Sequence, residues 1–257
     1  MARETVFRGT QSENIAGVRN AASFTWSLPV AVIWSARPAD IFARRPKAAF
    51  LPSSTVHMAE IDVRNPLQFD ESYISMGEVI QALDYGKADG ITEEEVRRIY
   101  NYMHNRITGK AAGGEYKYKV LDLEGNDRDE DEVPLSFYAP QSLITLARDD
   151  WDFDPTVDTA SHVVADTYIF ADVPAVQKAA KRLGYDMMVY PDVFEGGESA
   201  SKELLGRDIK TLDGVKVGYD IDGHRVPTHI TLRVLDPERI IDIIAIPTAD
   251  VLAEAKL

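Results

Sequence analysis

The 257-residue chain contains no cysteine, which excludes a disulfide framework, thiolate metal sites and cysteine nucleophiles. Positive charge is scarce: 28 Lys and Arg face 42 Asp and Glu, a formal charge of −14. That surplus argues against a broad surface for nucleic acid or anionic lipid, since both need a positive footprint. The most apolar C-terminal stretch, Ile240–Ile246, is broken by Asp242 and is too short to cross a bilayer. No apolar run follows the basic start at Arg3, so a soluble, cytoplasmic protein without a membrane partner is expected. No period of twenty to fifty residues recurs, which excludes solenoids and propellers.

Several familiar chemistries are missing too. There is no Gly-x-Gly-x-x-Gly, no Gly-x-x-x-x-Gly-Lys and no Gly-x-Ser-x-Gly. The histidines (His57, His104, His162, His224 and His229) form no His-Glu-x-x-His, and no metal is expected. Asp150, Asp152 and Asp154 open like a calcium loop, but Pro155 stands where that loop needs glycine, so an acidic turn is the better reading.

Against these absences stands an uneven charge. Residues 1–50 hold seven basic and three acidic residues, a net of +4, leaving −18 for the rest. An acidic protein with one basic end suits a small anionic ligand held there. Hydrophobic residues make up 45 %, enough for a real core. Period-two patterns predict strands at Glu4–Gly9, Ser23–Trp26, Thr55–Val63, Tyr116–Leu121, Met187–Tyr190, Val215–Tyr219, Gly223–Val226 and Ile230–Leu235. A further strand is expected at Thr167–Ala171, and Ile240–Ile246 reads as a buried final one. Helices are predicted at Leu28–Ala36, around Met76–Leu83, after the Thr92 capping box, and at Pro174–Leu183, Ser199–Leu205 and Thr248–Ala255. A helical turn is expected at Ile15–Asn20 and an acidic solvated loop at Glu124–Glu132. Short strands with interspersed helices and no regular βαβ rhythm give an α+β fold. With no obvious linker, a single domain over 1–257 is expected, with a helical insertion at about 71–107.

Two short segments carry chemistry. Arg8 offers a planar, permanently charged fork suited to phosphate, Gly9 admits close backbone approach, and Thr10 adds a hydroxyl. The same residues also read as an ordinary strand-to-turn segment. Alternation then puts Ser23, Thr25 and Ser27 on one strand face and Phe24 and Trp26 on the other. Hydroxyls on one side suit sugar or phosphate oxygens, and equally an edge facing water. Trp26, Trp34 and His57 read as core residues.

The order Phe-Arg-Gly-Thr, then Ser-Phe-Thr with an apolar helix behind it, resembles the ADP-ribosyltransferase fold. Three later segments are similar to the ADP-ribosyltransferase-like domains of bacteriophage and mobile-element proteins: Asn65-Pro-Leu after a strand, Leu183-Gly-Tyr-Asp before one, and Asp236-Pro-x-x-Ile240. The resemblance implies a split β-sandwich core and an NAD-dependent transferase that breaks the nicotinamide–ribose bond. It implies that Arg8 holds a phosphate or ribose oxygen, that Gly9 meets the nicotinamide amide, and that Thr10, Ser23 and Thr25 shape the pocket. The family's glutamate, about five residues before the Asp-Pro turn, falls on Thr231. The best substitute carboxylates are Glu195 and Glu198, in the loop that begins at Asp192 and carries two glycines. A capped, solvent-facing turn is the equal alternative for that loop. The acidity elsewhere in the chain would repel nucleic acid, so a protein or small-molecule acceptor is expected, with the host cytoplasm or a virion as the setting. Thr231 motivates the rival: a catalytically silent domain of the same fold, serving as a phage structural or host-interaction protein. A two-acid glycosidase has only the Glu195/Glu198 pair behind it.

Overall fold

A computed structural model describes residues 2–11, 23–36, 47–107, 143–144, 156–194, 197–219 and 224–255. The expected turn at 15–20, strand at 116–121 and acidic loop at 124–132 lie outside them, as do Asp150, Asp152 and Asp154. The described part is α+β, with eight helices and a mostly open main sheet. None of these helices is long and apolar enough to cross a membrane. The chain divides into two compact units, one formed by Met1–Ser72 with Gly184–Leu257 and the other by Tyr73–Leu183.

The first unit is built on one sheet. Strand β1 (Ala2–Thr10) pairs along its whole length with β3 (Thr55–Val63), from Ala2 opposite Val63 to Thr10 opposite Thr55. Between them in sequence lie β2 (Ser23–Thr25) and helix α1 (Leu28–Ser35). Strand β2 bridges β1, with Phe7 opposite Thr25, to β10 (Arg225–Val234), with Thr231 opposite the same Thr25. Beyond β10 come β8 (Met187–Val193) and a short parallel strand, β4 (Pro66–Gln68). Strand β11 (Ile240–Pro247) closes the far end on β3. Strand β9 (Val215–Tyr219) pairs with Arg225–His229, so it shares β10's edge with β2, and the two part at Ile230.

Helix α1 is apolar on every side, and burial explains it: Val30, Ala31, Val32 and Ile33 are all buried. Ser27 caps it, accepting from Val30 N at 3.3 Å, and Pro29 occupies the first turn, where no N–H is needed. Beneath it sits Gly9, where a Cβ would lie 1.9 Å from Ala31 O. Helix α7 (Gly197–Leu205) ends at Gly206, whose φ of +65° favours glycine, and helix α8 (Thr248–Ala255) follows β11.

The second unit orders β5 (Tyr73–Ser75), β7 (Val164–Asp166) and β6 (Leu143–Ile144) as β5-β7-β6. Helices α2 (Met76–Ala82) and α3 (Glu93–Ile107) each open on a capping box, Ser75 with Glu78 and Thr92 with Glu95. As the spacing predicts, Val96, Ile99, Tyr100 and Met103 of α3 are buried. Helices α4 (Val157–Ser161), α5 (Thr167–Asp172) and α6 (Pro174–Arg182) complete the described elements.

Three expectations are corrected. Thr167–Ala171 is helix α5, not a strand; a five-residue apolar run fits either period, and β7 just before it takes the strand role. The separate strands expected at Gly223–Val226 and Ile230–Leu235 are replaced, over the described residues, by one continuous strand, Arg225–Val234. The last strand is an edge rather than a buried strand, so Ile240 and Ile243 are buried while Ile241 and Ile244 are exposed.

Candidate functional site

The strand register sorts the expected site residues. Phe7, Thr25, Thr231 and Tyr190 stand in one cross-strand row, so their side chains share a face. Alternation puts Ser23, Arg233, His229 and Asp192 on that face with Thr25 and Thr231. It puts Arg8 and Thr10 on the opposite face, with the core residues Val6, Phe24 and Leu232. The expected set is therefore divided between the two faces.

Most members have a definite partner. Arg8 Nη1 donates to the backbone carbonyl of Ser23 at 2.8 Å, so the arginine does meet β2. Thr10 Oγ1 lies 2.9 Å from His57 Nε2, and His57 is fully buried. Gly9 is occupied by α1 on its Cα side, which explains the glycine by helix–strand contact. Ser23 Oγ accepts from Arg233 Nη1 at 2.9 Å. Thr25 Oγ1 accepts from Ser27 N at 3.1 Å and shapes the turn into α1. Glu195 lies outside the described residues; Glu198 is placed in α7 by its backbone, and its side chain is not described.

Other side chains, not singled out as site residues from the sequence, gather around Thr231. Its hydroxyl donates to Asp192 Oδ2 at 3.2 Å, and His229 Nδ1 is 3.4 Å from Thr231 Oγ1. His229 Nε2 is 4.0 Å from Asp192 Oδ2 and makes no hydrogen bond among the described residues. Burial pushes the His229 pKa down to about 4, outweighing a backbone hydrogen bond at Ile230 that acts the other way. The imidazole is therefore neutral at pH 7. It stands edge-on to Trp34 and Phe194, with ring centroids 4.7 and 5.6 Å away. Asp192 keeps a side-chain exposure of 17 %, so solvent or a ligand reaches it. Its period-two relation to Tyr190 was a legible signal, but its neighbours were not, because they lie on another strand.

Beside this group, where β9 and β2 part from β10, a crevice of about 340 Å³ is lined by Thr25, Trp26, Ser27, Gly214, Lys216 and Ile230. Among the described residues no group of His, Asp or Glu side chains is arranged to hold a metal ion.

The three later sequence segments meet in one hydrogen-bonded knot. Asn65 N donates to Asp186 Oδ1 at 3.1 Å, and Asp186 N donates to Asn65 O at 3.2 Å. Leu235 N and Asp236 N both donate to Asp186 O, at 2.9 and 3.1 Å, while Arg239 Nε lies 3.3 Å from Asp186 Oδ2. These residues join the ends of β3, β8 and β10, so their role is to hold the strands that carry Asp192, Thr231 and Arg233. No protein-family model, curated protein or solved structure matches the chain.

Proposed function

We propose that the protein is an NAD-dependent mono-ADP-ribosyltransferase with a split β-sandwich core, acting on a macromolecular acceptor, with protein favoured. The observation that carries this reading is the Asp192 carboxylate hydrogen-bonded to Thr231. Thr231 occupies the position where the resemblance wants an acid, and the neighbouring strand supplies one there. A carboxylate at that point stabilises positive charge growing on the ribose carbon as its bond to nicotinamide breaks. The bonding electron pair leaves with neutral nicotinamide, an acceptor oxygen or nitrogen bonds to the ribose carbon, and the acceptor's proton passes to solvent or to a carboxylate. The Thr231 hydroxyl donates to Asp192 and holds it in place. Trp26 and Lys216, at the crevice where the strands part, offer a ring and a cation to a nucleotide.

The reading of a catalytically silent domain draws on the same position, since Thr231 itself has no acid function. Labelled NAD with cell lysate separates the two. Transfer of label and release of nicotinamide are expected, and Asp192→Asn should cut both rates about a hundredfold or more. If Asp192→Asn keeps the wild-type rate, the role passes to Glu195 or Glu198, to be located by their Gln variants. No label, no nicotinamide and no NAD-dependent rise in melting temperature would reject the enzyme reading.

A further inference from the structure

We propose that His229 is a positioning residue for Asp192 that acts through Thr231: its Nδ1–H engages the threonine oxygen, so the hydroxyl hydrogen stays on the carboxylate. His229 and Thr231 stand two residues apart on one face of β10, and Asp192 comes from β8, directly opposite His229. Thr231 Oγ1 is 3.4 Å from His229 Nδ1 and 3.2 Å from Asp192 Oδ2. His229 Nε2 is 4.0 Å from that carboxylate oxygen, beyond hydrogen-bond distance. The hydrogen-bonded path from the ring to the acid therefore runs through the hydroxyl. Its direction follows from what each group can do. An ionised carboxylate only accepts, so Thr231 is the donor to it. A hydroxyl has a single hydrogen, and with that hydrogen on Asp192 the threonine oxygen is left to accept from His229. The ring observations agree. Nε2 makes no hydrogen bond among the described residues, and the backbone hydrogen bond at Ile230 favours the protonated ring, the sign of donation from a ring N–H to a carbonyl. Both place the hydrogen of the neutral imidazole on Nδ1. Burial gives the arrangement its force. His229 is 1 % exposed and Thr231 2 %, so water does not compete for the hydroxyl, and Trp34 and Phe194 flank the ring edge-on. The inference rests on the reading above for what Asp192 does, and on this geometry alone for how Asp192 is held.

The alternative is that His229 only fills space between Trp34 and Phe194. Nitrogen NMR of the imidazole in the full wild-type chain at neutral pH reads the tautomer without any variant. The hydrogen is expected on Nδ1, and finding it on Nε2 overturns the proposal. Carbon NMR then follows the titration of the Asp192 carboxyl in Thr231→Val, in His229→Phe and in the double variant. Thr231→Val should move that titration up by about one unit, because the carboxylate loses a donor. His229→Phe keeps a ring in place and should move it up by less, and it should add nothing beside Thr231→Val. His229→Asn, whose amide N–H can stand in for Nδ1–H, should recover part of the wild-type value. An unchanged titration in His229→Phe would overturn the proposal, as would a His229→Phe effect that persists in full beside Thr231→Val. Circular dichroism checks folding; if His229→Phe does not fold, His229→Leu takes its place in the cycle. With NAD, His229→Phe should lower kcat roughly three- to tenfold at unchanged KM, again with no further loss beside Thr231→Val. The expected tautomer and titrations without nicotinamide release would leave the positioning role standing and remove the transferase. Nicotinamide release with independent losses in the two single variants would do the reverse.

Discussion

The two units reach order by different routes. In the unit spanning Tyr73–Leu183, polar side chains mostly finish local structure: Ser75 and Thr92 cap helices three residues from their partners. A longer contact among its described residues is that of Arg182, which donates to both oxygens of Glu95 at 2.9 and 2.8 Å. In the sheet unit, the polar side chains that matter meet only through strand pairing, as when Arg233 reaches Ser23 across 210 residues of sequence. The first arrangement stabilises and the second also collects chemistry. The difference teaches that a polar group near its partner in sequence is usually finishing an element, whereas one assembled from several strands is a site to test.

The largest stability effect expected on that contrast is at Gly9. A methyl group there meets the Ala31 carbonyl at 1.9 Å, and backbone on both sides leaves no flexible end to give way. Gly9→Ala should cost about 3 kcal/mol, lowering the melting temperature by roughly 10 °C in calorimetry. A melt like the wild type's would show that α1 does not press on β1 as described.

Acid should then separate the units. Folded His229 titrates near 4 against an ordinary 6.5, so the unfolded chain takes up its proton first. Stability of the sheet unit should fall as pH drops from about 6.5 to about 4, by up to roughly 3 kcal/mol. His229→Phe, which keeps an aromatic ring against Trp34 and Phe194, should flatten denaturation midpoints over that window; an unaltered slope would exclude His229 as its source.

Glu95 predicts a smaller effect in a lower window. The hydrogen bonds from Arg182, aided by Thr92, hold its pKa at about 2 against an ordinary 4.5. Its contribution is complete above about 4.5 and disappears as pH falls towards 2. At pH 7, Glu95→Gln should cost about 1 to 2 kcal/mol in urea titration, discounted because Arg182 remains partly exposed. Variant and wild type should converge near pH 2, and a gap that persists there would mean the loss is not electrostatic.

How much was legible follows the same line. Thr55–Val63, the Thr92 cap, the α3 face and the Gly206 stop are all visible in short windows, because periodicity and capping are local physics. Thr167–Ala171 was misread because five apolar residues carry too little periodic information. Ser23 and Thr25 were correctly placed on one face of a strand, yet grouping them with Arg8 required knowing that Phe7 stands opposite Thr25.

The sequence by itself determined the α+β character, most element positions and an arginine at the end of the first strand. Tertiary structure decided which groups face one another: Asp192 with Thr231, His229 against Trp34, and Arg233 with Ser23. The physical reason is register. Side chains alternate between the two faces of a strand, so a shift of one residue in a long-range pairing moves each side chain of that strand to the other face.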